Sequence, residues 1–179
     1  IHFGPLFLPW VAVLGLSFFA LITNLTTVDT AAVQQRFRGR SLRVTGWTLV
    51  VLAVLFALLW LSEIIPDLLS SRGSTSAQVW LIPTNPVHVL DLAIFLPAVL
   101  ISAISLLHRR GLGYTTAPGV FVFMALTCLP ILVTPLVALG RGVEPAWAVM
   151  GPITVVLVVS AAVLWRTLRA VDAHPNHMP

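Results

Sequence analysis

Three polar side chains, Asn85, His88 and Asp91, stand at the start of a long apolar stretch. Two carboxylates, Glu63 and Asp67, follow another apolar stretch and are four residues apart, so they share a face if that segment is helical. Polar and ionisable groups at such places are costly, and they mark candidate functional sites. These five residues form the candidate polar cluster of the chain.

Carboxylates and an imidazole allow two kinds of chemistry. Glu63, His88 and Asp91 supply oxygen and nitrogen ligands that suit a divalent cation such as Zn²⁺ or Mn²⁺. The same groups could relay protons, because a carboxylate beside a histidine can exchange protons near neutral pH. Arg72 lies close enough in sequence to join them.

A structural role explains the same residues differently. Asn85 followed by Pro86 is a typical helix start, with the amide at the N-cap and proline at the first helical position. With His88 and Asp91 in the first turns, the three polar residues would then cap and seat a helix. The two interpretations are compatible, and both stay open at this point.

Composition places these residues in a membrane protein. Of the 179 residues, 58% are hydrophobic and 9% are charged, and the mean hydropathy is +1.00. Soluble proteins carry about 25% charged residues. The chain is therefore predicted to be an integral membrane protein, with the lipid bilayer as its main partner. A net charge of +4 in short arginine clusters does not suggest a nucleic-acid partner.

Apolar segments of about 20 residues are long enough to cross a membrane as helices. The chain has five such segments, and they are apolar on all sides, which predicts an all-α bundle of transmembrane helices in a single transmembrane domain over residues 1–179. The predicted spans are residues 4–23, 44–65, 87–107, 117–139 and 147–165. Pro66 marks a possible stop for the second span.

Arginine-rich and arginine-poor connections alternate along the chain, so most arginines fall on one side of the membrane. Six of them form the basic membrane surface that flanks the first and third connections: Arg36, Arg38, Arg40, Arg43, Arg109 and Arg110. Arg166 and Arg169 follow the last span, whereas the other two connections hold only Arg72 and Arg141. Because basic loops stay in the cytoplasm, we expect the Ile1 end outside and the Pro179 end inside. We also expect further spans before Ile1.

Helical phase predicts which face of the third span meets protein. Ala98, Ser102 and Ser105 fall within about 40° of Asp91 at 100° per residue. Small residues let helices approach closely, so this stripe is predicted to contact another helix. In the fourth span, Thr127 and Thr134 are predicted to compensate for backbone donors that prolines remove.

Cofactor and catalytic signals are weak. Cys128 is the single cysteine and lies in an apolar run, where a packing role is expected. His88 and His108 stand at opposite ends of one span, so they do not form the facing pairs that di-haem binding needs. The sequence has no phosphate-binding loop, nucleophile elbow or His-Glu-x-x-His motif. No cofactor is predicted.

The run Thr84-Asn85-Pro86-Val87-His88-Val89-Leu90-Asp91, with Trp60 to Pro66 before it and Arg109 to Tyr114 after it, resembles a family of uncharacterised bacterial multi-pass membrane proteins. The resemblance covers roughly residues 6–137. It implies an all-helical protein of the bacterial inner membrane with further helices upstream, and it implies no catalytic residue.

Three functions remain open on this basis. The first is a non-enzymatic accessory or scaffold-like component that packs with other membrane helices or with further copies of the chain. The second is a small-solute or ion permease that uses Glu63, His88 and Asp91, and the third is a membrane-embedded metal-dependent hydrolase.

Overall fold

The described part of the protein consists of helices and the turns that join them. The computed structural model describes residues 4, 6–37, 42–70, 73–78, 81–82 and 84–171, apart from the side chains of residues 75 and 76. Among the described residues there is no strand. The helices are α1 (Phe7–Thr27), α2 (Thr30–Arg36), α3 (Arg43–Leu69), α4 (Thr75–Gln78), α5 (Pro86–Leu107), α6 (Gly111–Gly140) and α7 (Trp147–Leu168).

Five of these helices, α1, α3, α5, α6 and α7, are long and apolar enough to cross a membrane. The predicted all-α architecture with five spanning helices is confirmed. The bounds differ from the predicted ones by at most six residues at any helix end. Helix α3 continues past Pro66 to Leu69, and α6 begins at Gly111, six residues before the predicted start at Ala117.

The chain divides into two compact units, residues 1–30 and residues 31–179. The first unit holds α1, in which three threonine hydroxyls are bonded within the helix. The hydroxyls of Thr23, Thr26 and Thr27 donate to backbone carbonyls of the preceding turn at 2.7–3.1 Å. Such bonds let hydroxyls lie in an apolar helix without leaving unpaired polar groups.

The second unit is a bundle in which α3 packs on α5, α5 on α6, α6 on α7 and α7 on α3. Consecutive spans run antiparallel because their connections are short. The centre is apolar, and its most deeply buried side chains include Leu49, Val99, Ala117 and Phe121. The starts of α3 and α6 meet the ends of α5 and α7 at one end of the bundle, which we call the basic end because it holds Arg43, Arg109, Arg110, Arg166 and Arg169. The opposite end, with Glu63, Asp67 and Asp91, is the acidic end.

Helix α5 contains a wide π turn over Asp91–Phe95. The amide of Leu96 donates to the carbonyl of Asp91, five residues back, and Pro97 follows without any N–H to donate. A π turn adds one residue to the helix and often adjoins a residue that disturbs the α-helical ladder. This turn changes the phase between Asp91 and the rest of α5.

The predicted small-residue stripe is correct only in part. Ser102 and Ser105 are buried, but Ala98 is exposed. All three residues follow the π turn, so the turn shifts them together relative to Asp91 and does not by itself explain the exposure of Ala98. The Ser102 hydroxyl lies 2.7 Å from the Thr116 hydroxyl of α6. Gly113 of α6 lies directly on the α5 backbone, where a Cβ atom would clash with the backbone nitrogen and Cα of Leu106.

The turn between α5 and α6 closes at the basic end. Arg109 has a left-handed backbone with φ 55°. The Arg110 amide donates to Ser105 and the Arg109 amide to Leu106, at 2.8 Å and 3.0 Å, as in a Schellman motif. Nearby, the Gln34 side-chain amide of α2 donates to the Arg109 carbonyl at 2.7 Å.

The prolines of α6 are not compensated as predicted. Thr127 and Thr134 donate to the carbonyls of Phe123 and Pro130. Because proline has no N–H, Pro130 and Pro135 leave the carbonyls of residues 126 and 131 without their helical hydrogen bonds. The two threonines thus bond to carbonyls of their own preceding turns, and their predicted role is wrong.

Candidate functional site

The end of α3 presents one polar face towards α5. Trp60, Glu63 and Asp67 follow one another at spacings of three and four residues, so they lie on the same side of the helix. The helix carries this face past Pro66 because its last turn is closed by Ser70, whose amide and hydroxyl both donate to the Pro66 carbonyl, at 3.0 Å and 2.8 Å.

Asp91 is held by a tryptophan. The indole Nε1–H of Trp60 donates to Oδ2 of Asp91 at 2.9 Å, in a partly buried position. Hydrogen bonds to a charged acceptor are stronger than bonds between neutral groups. This one joins the end of α3 to the π turn of α5 and gives the carboxylate a partner within the protein.

His88 lies between Trp60 and Glu63. Its side chain is 7% exposed, and its ring centroid lies 4.6 Å from that of Trp60 at an angle of 42° between the planes. The His88 Nε2 atom is 3.5 Å from Oε2 of Glu63, whose side chain is 47% exposed. At this distance the two groups form an ion pair when the imidazole is protonated.

Asn85 is the N-cap residue of α5. Its side-chain oxygen accepts a hydrogen bond from the Val87 amide at 3.0 Å, and Pro86 occupies the first turn. The predicted cap is therefore present at Asn85. His88 and Asp91, which the cap interpretation also included, are instead directed to α3.

A cleft of about 540 Å³ opens between the end of α3 and the start of α5. That volume is within the range of small-molecule sites, about 300–1,000 Å³. Its wall consists of Glu63, Ile64, Asp67, Leu68, Gly73, Ser74, Thr84, His88, Val89, Leu92 and Ala93. Glu63 and Asp67 supply acidic oxygens to the cleft, and most of the other lining residues supply aliphatic surface.

The structure thus assembles most of the predicted cluster. Glu63, Asp67 and His88 line the cleft together, and Asp91 lies behind His88 on Trp60 without lining the cleft. Arg72 is outside the described residues. Within the described ranges no three His, Cys, Asp or Glu side chains are grouped as metal ligands. The metal set Glu63, His88 and Asp91 stays a prediction.

Sequence reasoning missed Trp60 as part of the site. It lies near a span end, where tryptophan usually serves as an interfacial anchor. The available signal was its spacing of three residues from Glu63, which places both side chains on one helical face.

Comparisons with protein-family models, with curated proteins and with solved structures find no match. The resemblance to bacterial multi-pass membrane proteins accordingly stays a prediction from the sequence.

Proposed function

We propose that the chain is a non-enzymatic accessory component of a bacterial cytoplasmic membrane that associates with other membrane helices. One observation carries the proposal. Three pairs of polar side chains join neighbouring helices, Trp60–Asp91, Ser102–Thr116 and Thr45–Thr167, around an apolar centre. Such a bundle is suited to packing, because a transport path needs polar groups left available along the membrane.

The basic end is assigned to the cytoplasm. Within the described residues, Arg36, Arg43, Arg109, Arg110, Arg166 and Arg169 flank this end, and Arg141 flanks the other. Positive charge in short loops favours retention on the cytoplasmic side. This orientation places the acidic cleft on the outer side of the membrane.

Site-specific photo-crosslinking in native membranes tests the proposed association. A photoreactive residue would replace Leu58, Ile101, Leu126 or Val158, which are exposed on four different helices, with the buried Phe121 as control. We expect protein adducts from at least one exposed face and none from residue 121. Native gels should show a matching complex above the monomer mass. Lipid adducts alone, together with a solitary monomer, would contradict the proposal.

A permease is the second candidate, and the acidic cleft is the observation that favours it. Glu63 and His88 face each other at 3.5 Å in a cleft that also holds Asp67. If this group handles a cation or a proton, Glu63→Gln should lower ion flux through proteoliposomes of the full chain. Two results would remove this candidate. One is that the unaltered protein shows no ion flux, and the other is that Glu63→Gln and Asp91→Asn both show the same flux as the unaltered protein.

A further inference from the structure

A second groove lies between α3 and α7, on a side of the bundle remote from the acidic cleft. Its volume is about 560 Å³. Val51, Leu52 and Leu55 of α3 form one wall, and Val155, Val156 and Val159 of α7 form the other. The groove is almost wholly apolar along its length, so an aliphatic chain is the ligand that fits it.

Positive charge marks one end of this groove. Arg43 lines it where α3 begins, and Trp47 lines it one turn further along. Arg166 follows Val155 by eleven residues and Val159 by seven, so it lies on the groove side of α7 at the same basic end. Among the described residues, no carboxylate pairs with Arg43 or Arg166.

We propose that this groove binds one anionic phospholipid, with the headgroup phosphate between Arg43 and Arg166 and an acyl chain between α3 and α7. Guanidinium groups bind phosphate through paired, charge-assisted hydrogen bonds. Trp47 lies where an indole ring is usually found, at the level of the lipid headgroups. The two arginines supply the charge complementarity, and the valines and leucines supply the apolar contact.

The length of the groove agrees with a single leaflet. Twelve residues separate Arg43 from Leu55, which corresponds to about 18 Å along a helix. Half of a hydrocarbon core is about 15 Å. A chain that enters at Arg43 would therefore end near the middle of the membrane, and the opposite leaflet need not contribute.

Native mass spectrometry of the full chain tests the proposal with two lipids of identical acyl chains, phosphatidylglycerol and phosphatidylcholine. We expect the anionic lipid to be retained more strongly. Arg43→Gln should weaken its binding about fivefold, because one basic residue near anionic lipid changes the affinity by about that factor. The double variant Arg43→Gln with Arg166→Gln should weaken it about 25-fold. Val51→Trp, which fills the groove from an exposed position, should reduce binding of both lipids.

Arg141→Gln is the matched control, because it removes an arginine from the other end of the bundle. It should leave retention of phosphatidylglycerol unchanged. Equal retention of the two lipids, an unaltered affinity in Arg43→Gln, or an equal loss in Arg141→Gln would each overturn the proposal. A variant is compared only if its size-exclusion profile matches that of the unaltered protein, which shows that it is folded.

Discussion

Trp60 connects three groups at the acidic end of the bundle. Its indole nitrogen bonds Asp91, and its ring contacts His88, which in turn faces Glu63. A partly buried carboxylate is costly without a donor, so Trp60 stabilises the position of Asp91 as well as covering apolar surface. The residue thus positions the groups around the cleft without lining it.

Trp60→Phe tests this role, because phenylalanine keeps an aromatic ring beside His88 and removes the N–H donor. We expect the free energy of unfolding to fall by about 1.5–3 kcal/mol, the range for a hydrogen bond to a charged group. Thermal unfolding of the purified protein in detergent measures the change. Trp147→Phe, at an exposed tryptophan, is the control and should have little effect. Equal shifts in the two variants would argue against a specific bond to Asp91.

Ser160 gives a prediction of opposite sign. Its side chain is fully buried in α7, and its hydroxyl has no hydrogen-bond partner within the described part of the chain. Burying an unpaired hydroxyl destabilises a protein by about 1–3 kcal/mol. Ser160→Ala should therefore leave stability unchanged or raise it by up to about 1 kcal/mol, measured by the same unfolding assay.

Thr167→Val is the comparison for Ser160→Ala. Thr167 is also fully buried in α7, but its hydroxyl lies 2.9 Å from that of Thr45. This substitution should lower the free energy of unfolding by about 0.6 kcal/mol, the average for hydrogen bonds between membrane helices. A marked loss of stability in Ser160→Ala would mean that its hydroxyl has a partner after all.

The local parts of the site could be predicted from the sequence. The Asn85 cap depends on neighbouring residues, and the common face of Glu63 and Asp67 depends only on their spacing. The bond between Trp60 and Asp91 depends on how two helices are rotated about their axes. Hydrophobic periodicity does not determine that rotation when both helices are apolar on all sides.

At the scale of the helix, the π turn interrupts the uniform α-helical phase that was assumed beyond Asp91. Each added residue rotates the following part of a helix by about 100°. Ala98, Ser102 and Ser105 therefore shift together relative to Asp91, and Leu96 and Val99 lie in the core. Pro97 in the sequence indicates a disturbance of the helix, but it does not specify whether a kink or a wide turn results.

The contact between α5 and α6 depends on a glycine. A Cβ atom at Gly113 would lie 2.6 Å from the carbonyl carbon of Ser105 and would clash with the Leu106 backbone. Because backbone cannot move aside cheaply, Gly113→Ala should lower stability by about 3 kcal/mol or prevent assembly of the bundle.

Gly119→Ala is the control for Gly113→Ala. Both residues lie in α6, but a Cβ atom at Gly119 meets nothing within 4 Å. Thermal unfolding and the yield of monodisperse protein should be unchanged for Gly119→Ala. If both variants behave alike, the close approach of α5 and α6 is not required for stability.

At the scale of the whole molecule, composition is sufficient to predict the architecture. Five apolar segments of spanning length leave few alternatives, since backbone polar groups in lipid must be satisfied within helices. Which helices pack against each other is harder to predict from the sequence. They depend on small residues and hydroxyls, such as Gly113 and the Ser102–Thr116 pair, whose partners are far apart in the sequence.

Cysteine labelling tests the orientation of the molecule in the membrane. In a Cys128→Ala background, Glu144→Cys lies beyond α6, whereas His108→Cys lies at the basic end. A membrane-impermeant maleimide should label residue 144 in intact spheroplasts and residue 108 only after permeabilisation, because the basic end is expected in the cytoplasm. The reverse pattern would invert the proposed topology.

The hydrogen bond between Thr45 and Thr167 also has a consequence for biosynthesis. Its two residues are 122 positions apart, on the first and last helices of the bundle. At about 5–20 residues per second, a ribosome needs roughly 6–24 s to make the chain between them. During that interval α3 can pair with α5, and α5 with α6, but the side of α3 that receives α7 stays open. If synthesis is halted before α7, we therefore expect Thr45 to be accessible to insertion factors or to neighbouring membrane proteins.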